Sequence, residues 1–407
     1  MFVSHSIPGN APGGSDRRVL IVVENMSVPR DRRVWQEAQA LRRAGYEVVV
    51  VCPRGTDADS EPYEESDGVE IHRFPLRPAG SALGYAVEYG GAIWHIAHNA
   101  WRLSRPRGFA VVQVCNPPDL LLPVLHALLP GRTRFVFDHH DAVPELYLSR
   151  FGRGRDLIYR LLMLLERTTL RLADVVLATN ESYRKLALGR GGKSPQSVFI
   201  VRNGPDSGWL QRARANPDLK NDNEHLLAYA GVMGPQDGVD GALRALASLR
   251  EKRSDWRAIF AGAGDAASAM RLLATKLGLD DVVTFAGWLG NEDLAELIAT
   301  ADVCLAPDPS NPLNDISTMV KVAEYMAAGR AVVSFDLPET RITAGDTILY
   351  ASNEVDFAER IAYLLDDPDR RLSLGEAART RIEEGLTWEE SERQLLAAYA
   401  QAIAPAT

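Results

Sequence analysis

The densest set of chemistry-bearing side chains lies in PDPSNPLNDISTMVKVAEYMAAGRAVVSFDLPETR, residues 307–341. Asn314, Asp315 or Ser317 can cap a helix that starts near Ser317. On that helix Ser317, Lys321 and Glu324 recur at i, i+4 and i+7 and share one face, with Met319, Val322, Ala323 and Met326 on another. A helix N-terminus that follows a strand offers its unpaired N–H groups to an anion. Lys321, one turn in, adds a point charge for phosphate. Glu324, two turns in, can accept bonds from ribose hydroxyls. The plain alternative is a surface Lys–Glu pair that contributes about 0.2–0.5 kcal/mol.

A second group lies in the first half. FDHHDAVPELY (137–147) ends a strand on two histidines among carboxylates. An imidazole there can donate to a hydroxyl or to an oxyanion. If the strand continues, His139 points the opposite way, so His140 is the candidate. A structural histidine is the alternative. Arg30, Arg32 and Arg33 sit where the first strand hands over to a helix. Cations at that end oppose the helix dipole, a misfit that points to donor or acceptor phosphate. FAGAGDAA (260–267) holds a G-x-G-x-x-A, the variant dinucleotide fingerprint of an oxidoreductase. It lies deep in its domain rather than at the first strand, so Gly262 and Gly264 are read as a tight turn beside a donor. The D-x-D triplets at 57–59 and 367–369 fall in polar or helix-linking stretches, and no metal is assigned.

The elements that must position these groups alternate. Strands are predicted at 18–24, 47–53, 69–74, 109–115, 133–138, 174–179 and 198–202, with a helix over 31–45 capped by Asp31 and stopped at Gly45. A polar stretch at 203–225, rich in Gly, Pro and Asn, breaks the pattern. Strands resume at 226–231, 257–262, 282–287, 301–307, 331–336 and 347–352, and helices close the chain at 354–366, 368–384 and 387–403. Near-continuous Val/Ile/Leu runs mark strands buried on both faces, hence α/β layers with parallel sheets. Two doubly wound domains bind ligands beyond their strand ends, which predicts a cleft between them. The expected division is a disordered tail at 1–16, an acceptor-side domain at 17–205, a linker at 206–225, a donor-binding domain at 226–386, and a helix at 387–407 that packs back on the first domain.

Composition narrows the class. Of the 407 residues 46% are hydrophobic and 24% charged, a globular balance. Cys52, Cys115 and Cys304 each sit in or beside an apolar run, as buried reduced thiols do, and their spacing suits no zinc site. No leader and no spanning helix is read, so a cytoplasmic protein is expected. Net charge is −9, split as +5 over residues 1–205 and −14 over 206–407. The basic half suggests an anionic partner. GAIWHIAHNAWRLSRPRG (91–108), with Trp94, Trp101, Arg102, Arg105 and Arg107, can lie on a membrane surface or pack as an ordinary helix.

Residues 307–341 resemble the signature region of the family-4 retaining glycosyltransferases, and PLNDISTMVKVAEYMAAG resembles a capsule and O-antigen subgroup. DRRVWQEAQALRRAGYEVVVVCP, NPPD (116–119), FDHHDAVPELY, TNESYRKLALGRGG, VRNGPD, AGVMGPQDGVD and FAGWL agree along nearly the whole chain. The resemblance implies a GT-B fold and an NDP-sugar donor, a UDP-sugar in first place, with no metal or other cofactor. It implies a glycan, polyprenyl-linked or small-molecule acceptor, no nucleic acid, and peripheral contact at the inner face of a membrane. Glu324 matches the second acid of the family's E-x7-E motif, the ribose ligand. Where the first acid belongs this chain has Ile316, with Asp315 beside it, so Asp315 is the candidate replacement. The loop 231–238 lacks the family's basic residues, leaving diphosphate to Lys321, to the helix start at Ser317–Thr318, or to arginines across the cleft. Trp288 and Leu289 match the base-contacting loop, His140 matches the histidine near the transferred sugar, and Asn116 and Asp119 fall on the acceptor side. The missing first acid opens an alternative: a catalytically impaired donor-binding partner in a polysaccharide assembly complex.

Overall fold

The computed structural model describes residues 17–55, 59–76, 82–152, 154–205, 214–220 and 224–404, with side chains omitted at 82–88. The expected tail and most of the expected linker lie outside the described residues. Two sheets organise the chain. The first domain contains β1 (Arg18–Val22), α1 (Arg32–Arg43), β2 (Glu47–Pro53), β3 (Tyr63–Ser66), β4 (Val69–Phe74), α2 (Ala82–Ser104), β5 (Val111–Cys115) and α3 (Leu121–Leu128). It continues through β6 (Arg134–His139), α4 (Val143–Phe151), α5 (Leu157–Leu172), β7 (Val175–Ala178), α6 (Glu181–Gly191) and β8 (Val198–Ile200). The sheet order is β3-β4-β2-β1-β5-β6-β7-β8, parallel except for the β3–β4 pair.

The second domain contains β9 (His225–Ala230), α7 (Val239–Lys252), β10 (Trp256–Ala261), α8 (Ala267–Lys276), β11 (Val283–Gly287), α9 (Asn291–Thr300) and β12 (Val303–Ala306). Then come α10 (Val320–Ala327), β13 (Ala331–Phe335), α11 (Pro338–Ala344), β14 (Leu349–Ala351), α12 (Glu354–Asp366) and α13 (Pro368–Glu383), and α14 (Trp388–Ile403) ends the chain. Its parallel order β11-β10-β9-β12-β13-β14 is the doubly wound one, with its switch point between β9 and β12.

The sheets form because β-branched runs such as RVLIV are buried on both faces and need helices on each side. In the first domain α2, α3, α5 and α6 cover one face. On the other face α1 packs beside Trp388, Leu395, Ala398 and Tyr399 of α14. The hydroxyl of Tyr399 donates to Gln113 Oε1 at 2.6 Å. Asp31 caps α1 by accepting from the N–H of Val34, as its sequence position implies.

One sequence expectation is corrected. The helix expected to start near Ser317 starts at Val320. Asn311 accepts from the N–H groups of Leu313 and Asn314, and a 3-10 turn follows over Asn314–Ile316. Asn180 of the first domain then donates to Ile316 O at 2.9 Å and to Thr318 Oγ1 at 3.0 Å. Those bonds draw residues 317–319 out as an extended link, so Ser317 does not share a helical face with Lys321 and Glu324.

Candidate active site

The candidate residues collect where the two sets of strand C-terminal ends meet. From the first sheet come the loop after β1 with the three arginines, the segment after β5 with Asn116, the end of β6 with His140, and the start of α6. From the second come the loops after β9, β10, β11 and β12. Contacts cross between the sets. Arg32 pairs with the buried Glu324, Ser182 Oγ donates to Glu339 at 2.6 Å, and Ser149 Oγ donates to Asn311 at 2.8 Å. The Arg30 guanidinium lies 5.0 Å from the ring centre of Trp288, whose side chain is otherwise exposed. Leu289 beside it is half-buried against the second domain's core.

On the donor side, Lys321 Nζ bonds Asp308 Oδ1 at 2.7 Å and sits 5.0 Å from the centre of the Tyr229 ring. This corrects the reading of Lys321 and Glu324 as a surface pair: neither is the other's partner. Burial alone would lower the lysine pKa, but Asp308 more than reverses this and it is raised. Sequence reading missed Asp308, because an acid two residues past β12 carries no local pattern. Its second oxygen is buried without a hydrogen bond, and so is Asp315 Oδ1. Ser310 Oγ donates to Asp315 Oδ2 at 3.2 Å. Met319, at the N-cap of α10, supplies no side-chain bond, so the first-turn N–H groups of Val320 and Lys321 are not capped by it. Ser317 Oγ turns back to Leu313 O at 2.8 Å.

On the other side, His140 Nε2 lies 2.6 Å from Asp138 Oδ2. Burial would lower the imidazole pKa; the adjacent Asp138 carboxylate outweighs it and the pKa is raised. Arg33 Nε also points at that ring nitrogen, at 2.8 Å, and 17% of the side chain remains exposed. His139 faces the other way, fully buried between Phe137 and Tyr183, with burial and Arg190 pushing its pKa down to about 3. Cys115, Asp138 and His140 bring three ligand atoms within 4.8 Å of one another. A metal there competes with Arg33, whose guanidinium already holds Asp138 at 2.6 Å, and burial pushes the Cys115 thiol well up.

Three expectations on this side are corrected. Arg33 is buried rather than facing the cleft: besides Asp138 it binds Val201 O at 2.7 Å and Asn203 Oδ1 at 2.6 Å. Its helix position turns it inward, toward Asp138 and Glu37, whose carboxylates compensate the buried guanidinium. Asn116 is also buried. Its Oδ1 accepts from the N–H groups of His140 (2.7 Å) and Asp141 (3.2 Å), so it shapes the strand end that carries His140. Asp119 is spent on Asn116 at 2.8 Å, and burial pushes its pKa up to about 7. Arg30 and Arg32 keep their exposed positions at the cleft.

A two-domain, doubly wound protein with a polar site at the seam is the class this geometry defines. Residues 31–204 match the model of the glycosyl transferase 4-like domain and residues 224–367 that of glycosyl transferases group 1. The chain thus belongs to the glycosyltransferases of the family-4 kind, with the GT-B fold. It is 27% identical to a D-inositol 3-phosphate glycosyltransferase of Corynebacterium aurimucosum, over 57% of this chain and 58% of that one. The chain spans about half the length of the curated relatives it matches first. In three dimensions it resembles sucrose-phosphate synthase from Thermosynechococcus elongatus, with TM-score 0.76, 18% identity and coverage of 95% and 98% of the two chains. It also resembles Anabaena HepE solved with UDP-glucose, with TM-score 0.66, 16% identity and coverage of 93% and 98%.

Proposed function

We propose that the protein transfers a sugar, with retained anomeric configuration, from a UDP-sugar or related NDP-sugar to a glycan, polyprenyl-linked or small-molecule acceptor of surface polysaccharide synthesis. The observation that carries the reading is the Arg32–Glu324 pair across the seam, which sets Glu324, with Lys321 and the uncapped start of α10 beside it, against the first domain's strand ends, one of which carries His140. Glu324 accepts from the donor ribose once Arg32 is displaced. Lys321 and the first-turn N–H groups of α10 stabilise the departing diphosphate. Gly262 and Gly264 let the backbone close under the donor, and Trp288 with Leu289 borders the base. Protonated His140 holds a hydroxyl of the transferred sugar. The leaving diphosphate oxygen takes the acceptor's proton on the same face, so no separate base and no metal is required. An acceptor on a lipid carrier places the protein in the cytoplasm, against the inner face of a membrane.

One observation favours the second reading, a donor-binding partner impaired in catalysis: Ile316, in place of the first motif acid, packs on the first domain's core. One substitution tests the donor site that both readings share, and turnover separates them. Glu324→Gln weakens UDP binding by about 1.5–3 kcal/mol in calorimetry, the worth of a bond to a charged group; unchanged affinity removes the ribose assignment. With an NDP-sugar panel followed by mass spectrometry, Asp315→Asn lowers turnover while UDP affinity persists. No turnover of any donor by the wild type would favour the impaired partner.

A further inference from the structure

Helix α5 presents a stripe of apolar side chains that nothing in the fold covers. Leu157, Ile158, Leu161 and Leu164 stand at i, i+1, i+4 and i+7, and Leu157 is 80% and Leu164 60% exposed. Single exposed leucines are ordinary on a protein surface, but a continuous stripe over two turns is not. The inward side of the same helix carries Thr169 and Leu170, both buried, so the stripe points away from the sheet. Along one edge of it run Arg160, Arg167 and Arg171, all exposed. The one acid of α5, Glu166, is fully buried and bound to Arg190. The outward surface of α5 is therefore apolar and cationic, with no carboxylate of its own.

The position of the stripe adds to this. Helices α2, α3 and α5 cover the same face of the first sheet and contact one another in that order. Trp94 on α2 and Leu128 on α3 are also exposed. The start of α5 is tied to α4 by a bond from Tyr147 to Asp156 at 2.7 Å, and α4 lies on the cleft rim, where Arg150 pairs with Asp265 of the second domain at 2.7 Å. Exposed Phe151 closes α4 at that rim.

We infer that α5, with the outer side of its helical layer, is the surface by which this protein docks on an anionic lipid bilayer, bringing the cleft rim to the headgroups. A stripe of leucines flanked by arginines suits an interfacial helix: the leucines enter the acyl boundary and the arginines meet the headgroups. A second copy of the chain fits less well, because an all-cationic edge repels its own duplicate. The inference moves the main contact from residues 91–108 to α5. It rests on the peripheral-membrane part of the proposed function and not on sugar transfer.

Co-sedimentation of the full chain with vesicles tests it. Binding is expected to phosphatidylcholine vesicles containing phosphatidylglycerol, to weaken with added salt, and to be poor with phosphatidylcholine alone. The double variant Leu161→Glu/Leu164→Glu is expected to lose about tenfold or more in partitioning, since about 1.4 kcal/mol of lost burial is tenfold. Arg160→Gln/Arg167→Gln/Arg171→Gln, which leaves the leucines in place, is expected to lose the salt dependence. Retained UDP affinity in both variants keeps this result separate from the donor-site reading. Undiminished vesicle binding by the leucine variant overturns the inference. So does absence of binding at low salt, or a wild-type dimer in sedimentation that the leucine variant dissolves.

Discussion

His140 shows how a single side chain gets its chemistry from one neighbour in its own segment and from others that the segment does not reveal. Asp138 sits two residues back on the same strand, and Arg33 and Gln113 fix that carboxylate from two other elements. The carboxylate favours the charged imidazole and holds it turned, while Asn116 fixes the backbone that carries it. The raised pKa sets a sign. Protonated His140 is the active donor, so kcat/KM is expected to hold at low pH and to fall as pH rises through a value above histidine's ordinary ~6.5. In His140→Gln that falling limb should vanish along with most of the rate; a limb that stays in place would assign the titration to another group. The same scale explains what was missed at Lys321. Its partner Asp308 lies thirteen residues away, and only the turn between β12 and α10 makes them neighbours.

At the scale of elements, the floor of the donor side is a crossing of three loops. The N–H of Gly231 donates to Ala261 O at 3.0 Å, and the N–H of Gly262 donates to Gly287 O at 2.7 Å. A Cβ on Gly262 would stand 1.8 Å from the carbonyl oxygen of Gly231, and φ there is +139°. The glycine is required twice, for its backbone angle and for the missing side chain. Gly262→Ala is expected to cost about 3 kcal/mol or more in urea unfolding, beyond an ordinary surface change; a cost under about 1 kcal/mol would mean that the loops part easily. The G-x-G-x-x-A spacing that resembles a dinucleotide fingerprint is accounted for by this packing.

For the whole molecule, the closing helix ties the domains together. The chain leaves the first domain after Val201, returns at Trp388, and the two passages meet where the N–H of Trp388 donates to Pro205 O at 3.3 Å. Helix α14 follows the second domain in sequence but completes the core of the first, with Leu395 fully buried. Leu395→Ala is expected to destabilise by about 2–5 kcal/mol, the range for emptying a buried leucine site. Calorimetry should show a lowered unfolding transition, and UDP affinity at low temperature should be retained. A loss under about 1 kcal/mol would mean that α14 is only loosely docked.

What the sequence determined by itself is whatever short-range chemistry dictates. β-branched runs flanked by turns placed thirteen of the fourteen strands among the described residues within about three residues at either end, and alternation with helices made them parallel. The Asp31 cap, the order of the closing helices and the candidate status of Lys321, Glu324 and His140 were equally local. β3 was legible but unread: Asp67 and Gly68, with φ of +48° and +76°, form the tight turn that an Asp-Gly pair announces, while YEES lacks a strand's apolar face. Tertiary structure decided the rest, because burial depends on which elements meet. Arg33 and Asp119 read as cleft-facing charges until α1 and the segment after β5 turn them inward, and Ser317 reads as helical until Asn180 reaches over from the other domain. Arg32 and Glu324, 292 residues apart in sequence, meet only when two separately wound sheets close on each other, a free-energy balance that no local pattern encodes.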